Sequence, residues 1–219
     1  MVRIRPSTFQ NERIANISHL YPIVQKASVD IGGWDFPHVD PREKHRIDID
    51  WVGQESEWSN YLEVWRIYRS GQFVDVLGMP SDWRDQQVWW PAPEGWKPGV
   101  QLGIVGTVFQ FTGIFELAAR LCLTDVGDDV MHIEVTIHGL EDRWLVVDDP
   151  RRTPLSWARQ ASIPEFPHGV QLPRTELIAK RRELALTPAA ELFRRFEYDP
   201  GIELLREIQA ELTRRWASS

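Results

Sequence analysis

The sequence predicts an α+β fold: a mainly antiparallel sheet packed on a central buried helix, with helices at the C-terminus. Three observations carry this. Val100 to Leu123 (VQLGIVGTVFQFTGIFELAARLCL) is the longest apolar segment, and its residues follow helical spacing round most of the circumference. Val130 to His138 alternates, with Met131, Ile133, Val135 and Ile137 facing one way and His132, Glu134, Thr136 and His138 the other. From Arg174 onward the apolar residues return to helical spacing. Strands followed by helices point to α+β rather than to alternating βαβ units.

The elements follow in order. Residues 1–6 suit a short strand with Val2 and Ile4 on one face. Gln10 to Lys26 suits a helix with Ile14, Ile17, Leu20 and Tyr21 on one side, broken or ended by Pro22. Val29 to Pro41 reads as a loop, with two glycines and two prolines. His45 to Val52 alternates, placing Ile47, Ile49 and Trp51 on one face of a half-buried strand and Asp48 and Asp50 on the other. Leu62 to Leu77 reads as two strands joined at Ser70-Gly71, with Trp65 and Ile67 sharing a face. Gly71 supplies the positive φ of a tight turn, and β-branched and aromatic residues favour this over a helix from Trp58 to Arg69. Met79 to Gly99 is a long proline- and tryptophan-rich loop.

The central helix comes next. Glu116 and Arg120, four apart, can pair on it. Gly103, Gly106 and Gly113 cost roughly 1 kcal/mol each against Ala in a helix and suggest close approach of another element. A helix apolar all round is buried in a core or in a membrane. Spanning needs about 20 apolar residues. The uncharged run Pro98–Phe115 contains Gln101, Thr107, Gln110 and Thr112 and has no basic flank, so a core is expected and a membrane is not. After Val130–His138, the turn at Gly139–Asp142 leads to a second hairpin strand, Arg143–Val147. A proline-rich connector follows, with one short strand at most. Thr187-Pro188 and Asp199-Pro200 each read as a helix cap followed by a first-turn proline. The whole is read as a single domain over 1–219: 1–150 holds sheet and central helix, and 151–219 is the connector and helical extension.

Composition bounds the function. The chain has 219 residues, 42% hydrophobic and 26% charged, as in an ordinary soluble domain. A net charge of −7 disfavours non-specific binding to a polyanion. Residues 151–219 hold 12 Lys+Arg against 9 Asp+Glu, interleaved as on a solvated helix face. Cys122 is the single cysteine, so no intrachain disulfide forms and a reducing, cytoplasmic setting fits. MVRIRPSTFQNER has no apolar core of a secretory signal. Eleven tryptophans are the anomaly, and eight of them fall between Trp34 and Trp96.

Candidate chemistry is sparse. His132 and His138 stand roughly 20 Å apart along a strand, too far to share one metal ion. Asp48 and Asp50 form an acidic patch that could hold Mg²⁺ with Glu134, although an exposed strand face explains them as simply. No G-x-S-x-G, CxxC or HExxH occurs. Gly103 and Gly106 do not make a phosphate-binding loop. Cys122 reads as a core thiol. His38, in an aromatic loop between Asp35 and Asp40, is the histidine to watch.

GWDFPHVD (Gly33–Asp40), YLEVWRIYRSGQFVDVLGM (Tyr61–Met79) and Asp82-Trp83 resemble the region downstream of the AlbA-2 domain in bacterial Schlafen-like nucleic-acid-binding proteins. VMHIEVTIHG and the following helices are similar too. The AlbA-2 domain itself is not among these residues, so no functional residue carries over. The resemblance implies an accessory module of a defence or regulatory system, acting through a partner.

The reading is therefore a non-enzymatic recognition or sensor module working through Trp34, Phe36, His38, Trp65, Trp89 and Trp90. A protein partner is expected first and a nucleotide or nucleic acid second. No cofactor is expected. The alternatives are a metal-assisted hydrolase of nucleotides or nucleic acid using Asp48, Asp50 and Glu134, and a purely structural subunit.

Overall fold

Alternating side chains build one large sheet with one greasy face. The computed structural model describes residues 1–83 and 97–217, the side chains of the last three excepted. Its elements are β1 (Val2–Pro6), α1 (Leu20–Ala27), β2 (Val29–Asp30), β3 (Asp35–Phe36), β4 (Arg46–Ile47), β5 (Trp51–Trp58), β6 (Tyr61–Tyr68), β7 (Phe73–Leu77), β8 (Gln101–Gly103), α2 (Ile104–Cys122), β9 (Val130–His138), β10 (Trp144–Val146), β11 (Glu165–Pro173), α3 (Arg174–Arg194) and α4 (Ile202–Ala217). Seven strands pair in the order β11-β9-β1-β7-β6-β5-β4, every pair antiparallel. Val2, Ile4, Trp65, Ile67, Phe73, Met131 and Ile133 line the inner face. The outer face is wet and mixed: Leu62 and Val64 of β6 and Val74 and Val76 of β7 stand outward beside charged side chains, and there Arg3 binds Glu134 at 2.9 Å. One covered face and one wet face is the usual economy of an antiparallel sheet. Both edges are blunted, by the two-residue β4 on one side and by Pro167 and Pro173 within β11 on the other.

The central helix begins later than its apolar run. Val100–Leu123 divides into the short strand β8 and then α2, because Gln101–Gly103 pairs in parallel with Trp144–Val146. All of α2 but Gly106 and Arg120 is buried. It packs against α1, β9, α3 and α4. Three of its polar residues are paired: Thr107 and Thr112 donate to the carbonyls four residues back, at 2.6 and 2.7 Å, and Glu116 accepts from Arg181 at 2.6 Å. α2 is long and apolar enough to cross a bilayer, but 83% of its most apolar window is buried inside the fold. Gln209 of α4 ties the helical layer together, donating to Thr112 Oγ1 at 2.9 Å and to the Arg182 carbonyl at 2.8 Å.

Several elements depart from the sequence reading. Pro22 stands in the first turn of α1, where its missing N–H costs nothing, so it starts the helix rather than ending it. His45–Val52 is not one strand but spans β4 and the start of β5: Asp48 and Asp50 lie in the turn between them, Asp48 N–H donates to the Trp51 carbonyl at 2.9 Å, and Ile49 is 86% exposed. β10 leaves β9 and pairs with β8. The connector holds the nine-residue β11, which closes the sheet edge. Pro188 is buried inside α3 rather than opening a new helix. The turn at Gly71 is as expected, with φ +87°.

Candidate functional site

The aromatic cluster is assembled from the loop after α1 and from the strands beside it. Asp30 Oδ1 accepts from the N–H groups of Gly32 and Gly33 at 2.8 and 2.7 Å. The reversal this fixes presents Trp34, whose carbonyl accepts from Ile31 N–H at 2.7 Å. Trp34 lies over the His38 ring at 4.6 Å and 20°. It meets Trp58 and Tyr61 edge-on at 4.5 and 5.0 Å. Trp58 stacks on Tyr61 at 4.5 Å, and Trp83 meets Tyr61 edge-on at 4.8 Å. Such offset and edge contacts each add stability beyond simple burial.

Polar handles hold the rings in place. Trp34 Nε1 donates to the Tyr61 hydroxyl at 3.1 Å, and Trp83 Nε1 donates to the Gly78 carbonyl at 3.1 Å. The Tyr61 hydroxyl donates to Glu63 Oε2. Glu63 Oε1 accepts the main-chain N–H of His38 at 3.0 Å, and Trp65 Nε1 donates to the His38 carbonyl at 2.8 Å. A buried carboxyl group thus organises the platform from below.

Glu63 has a second acid beside it. Trp65 pairs with Asp75 across β6 and β7, so Glu63, two residues along, is the diagonal neighbour of Asp75 on the inner face. Both are sealed, at 1% and 0% exposure. Burial, then the charge of Asp75, holds Glu63 well above the usual carboxylate range. Burial pushes Asp75 up to about 7, with the Glu63 carboxyl and the Met1 ammonium pulling it back. Two buried neighbouring acids resist being ionised together. The pair lines neither of the two cavities described here, so it serves as an internal brace.

The exposed side of the cluster opens on a cleft of about 510 Å³. Trp34 and Trp83 form one wall, and Val105, Gly106 and Phe109 of α2 the floor. Asp148 closes the helix end, accepting from Val105 and Gly106 N–H at 2.6 and 2.9 Å. Gly103 and Gly106 permit this: a Cβ on either would lie 2.2 or 3.0 Å from Asp148 Oδ2. The glycines thus admit a carboxylate. The far rim is an ion network. Arg151 binds Asp149 at 2.9 and 2.7 Å and Glu211 at 2.8 Å, and Arg152 also binds Glu211. Hydrogen bonding to Arg151 lowers Asp149 to about 2. The rim charges therefore neutralise one another.

Of the residues singled out in the sequence, Trp34 and His38 belong to this cluster. Phe36 and Trp65 are sealed at 1% exposure and support it from the core. Trp89 and Trp90 lie outside the described residues. Trp58, Tyr61, Trp83, Glu63 and Asp75 were missed. Glu63 and Asp75 carried a usable signal, an acid at an inward position of an alternating strand. Asp48, Asp50 and Glu134 do not meet: Glu134 stands on β9, four strands from β5, or roughly 19 Å at the usual spacing. Glu134 is engaged by Arg3 and Arg5. Among the described residues no group of three His, Cys, Asp or Glu could hold a metal. Burial pushes the Cys122 thiol up, away from nucleophilic chemistry. No family model, curated protein or solved structure matches this chain.

Proposed function

We propose that this chain is a non-enzymatic recognition module whose docking surface is the cleft walled by Trp34 and Trp83. The occupant is a protein segment that inserts an uncharged aromatic or aliphatic side chain. One observation carries the reading: Trp34 and Trp83, from separate segments, converge on the sealed Tyr61 and remain partly exposed at a cleft, with Trp34 tied through the Tyr61 hydroxyl to the buried Glu63, instead of filling the core. Large rigid rings at a desolvated centre are the residues that dominate protein interfaces.

The cleft chemistry favours protein over nucleic acid. Arg151 and Arg152 are both tied to carboxylates, so neither is spare for a phosphate. Trp34, His38, Tyr61 and Trp83 of the cluster fall in segments that carry the Schlafen-like resemblance, which is in keeping with an accessory module of a bacterial defence or regulatory system. A cytoplasmic setting suits the single sealed thiol.

The test is selection of displayed random peptides on the whole chain. Enriched sequences should share an uncharged aromatic or aliphatic anchor. Trp34→Ala and Trp83→Ala, each checked for native circular dichroism, should weaken the best peptide roughly tenfold or more. Peptides whose affinity survives both substitutions would remove the cleft from consideration.

A further inference from the structure

A second cavity, of about 370 Å³, lies on another side of α2, between that helix and the ends of β1, β7 and β9. Phe111, Ile114, Val135 and Ile137 give it apolar walls. Its size falls within the range of small-molecule sites, which are apolar with a few placed polar groups. Gln110 is such a group. It lines the cavity, is 3% exposed, and neither its Nε2 nor its Oε1 has a hydrogen-bond partner among the described residues. Thr107 and Thr112, on the same helix, are both bonded. Buried amides are almost always paired, and an exception calls for an explanation. At the mouth, Arg143 binds Asp82 through both nitrogens, at 2.6 and 3.2 Å. That guanidinium is neutralised and offers no free charge to an anion.

We propose that this cavity is a binding site for a small uncharged molecule with an apolar body and a carboxamide or lactam edge. Such an edge satisfies both halves of Gln110 at once: its carbonyl accepts from Nε2 and its N–H donates to Oε1. A ketone or ester leaves Oε1 unpaired. A carboxylate leaves Oε1 unpaired and also carries its charge into apolar walls. The site is separate from the docking cleft, and its test does not depend on that reading.

Three probes of nearly equal shape decide it: 3-phenylpropanamide, 4-phenylbutan-2-one and 3-phenylpropanoate. Each is titrated into the whole chain with detection by ligand-observed NMR and calorimetry. The amide should bind roughly tenfold tighter than the ketone, the difference expected for one buried acceptor left unpaired, and the carboxylate should bind weakest. Gln110→Leu should abolish the preference for the amide while retaining the ketone. Ile114→Trp should fill the cavity and remove binding of both. Equal affinity of amide and ketone for the wild-type chain, or no binding of any probe, overturns the proposal without recourse to a variant. Amide binding unchanged by Gln110→Leu overturns it equally.

Discussion

Glu63 on β6 accepts the main-chain N–H of His38 at 3.0 Å, joining the sheet interior to a loop 25 residues earlier in the chain. The same carboxyl accepts from the hydroxyl of Tyr61, on whose ring Trp34, Trp58 and Trp83 converge. Removing it strands a buried N–H and a phenol. Glu63→Ala should cost about 3 kcal/mol, the sum of a small cavity and two unpaired groups. Glu63→Gln keeps an acceptor for His38 and should cost less. Chemical denaturation of both variants checks the order.

The Glu63–Asp75 pair makes stability depend on pH. The sign follows from proton counting: between about 4 and 7 an unfolded Asp75 has lost its proton while the folded one keeps it. Stability should therefore be highest at low pH within that window and fall as pH rises through about 7. Asp75→Asn should remove a slope of up to about 1.4 kcal/mol per pH unit there. Urea unfolding at a series of pH values reads this directly, and a variant slope equal to the wild-type slope would contradict it.

Asp148 caps α2 from 42 residues downstream, and Gly103 makes room for it. Asp148→Ala should lower stability by about 1–2 kcal/mol, as loss of a helix cap does. Gly103→Ala places a Cβ 2.2 Å from the same carboxylate and displaces it. The two losses should therefore be less than additive in the double variant.

Glu116 is nearly sealed, with its side chain 8% exposed, and leans on Arg181 at 2.6 Å and Arg120 at 3.7 Å. Arg181→Met should cost about 2–3 kcal/mol, below the full penalty of a stranded buried charge because Arg120 remains. Adding Glu116→Gln should recover most of that loss. Thermal unfolding of the two single variants and the double variant closes the cycle.

How much of this was legible depended on local against distant causes. The alternation of Met131 to Ile137, the Gly71 turn and the all-round apolar α2 are local patterns, and each was read. Sequence order places Trp144–Val146 in a hairpin with β9, whereas its actual partner, β8, is set by the parallel register Trp144↔Gln101. Periodicity does not encode that pairing. Asp48 and Asp50 fit an alternating strand by pattern, but the chain reverses at them to start β5. At the site, Trp34 and His38 stood out as an aromatic loop. The tie from His38 to Glu63 and the meeting of Trp34 with Trp58 and Trp83 depend on tertiary packing. Phe36 and Trp65 share the composition of that loop and strand but point inward.

The most direct test of the docking cleft is fluorine NMR on the 5-fluorotryptophan-labelled chain, with resonances assigned by single Trp→Phe substitutions. Titration with the best selected peptide should shift Trp34 and Trp83, which line the cleft, and leave the sealed Trp65 in place. Unmoved Trp34 and Trp83 signals at saturating peptide, with shifts elsewhere, would contradict the assignment of the cleft as the recognition surface.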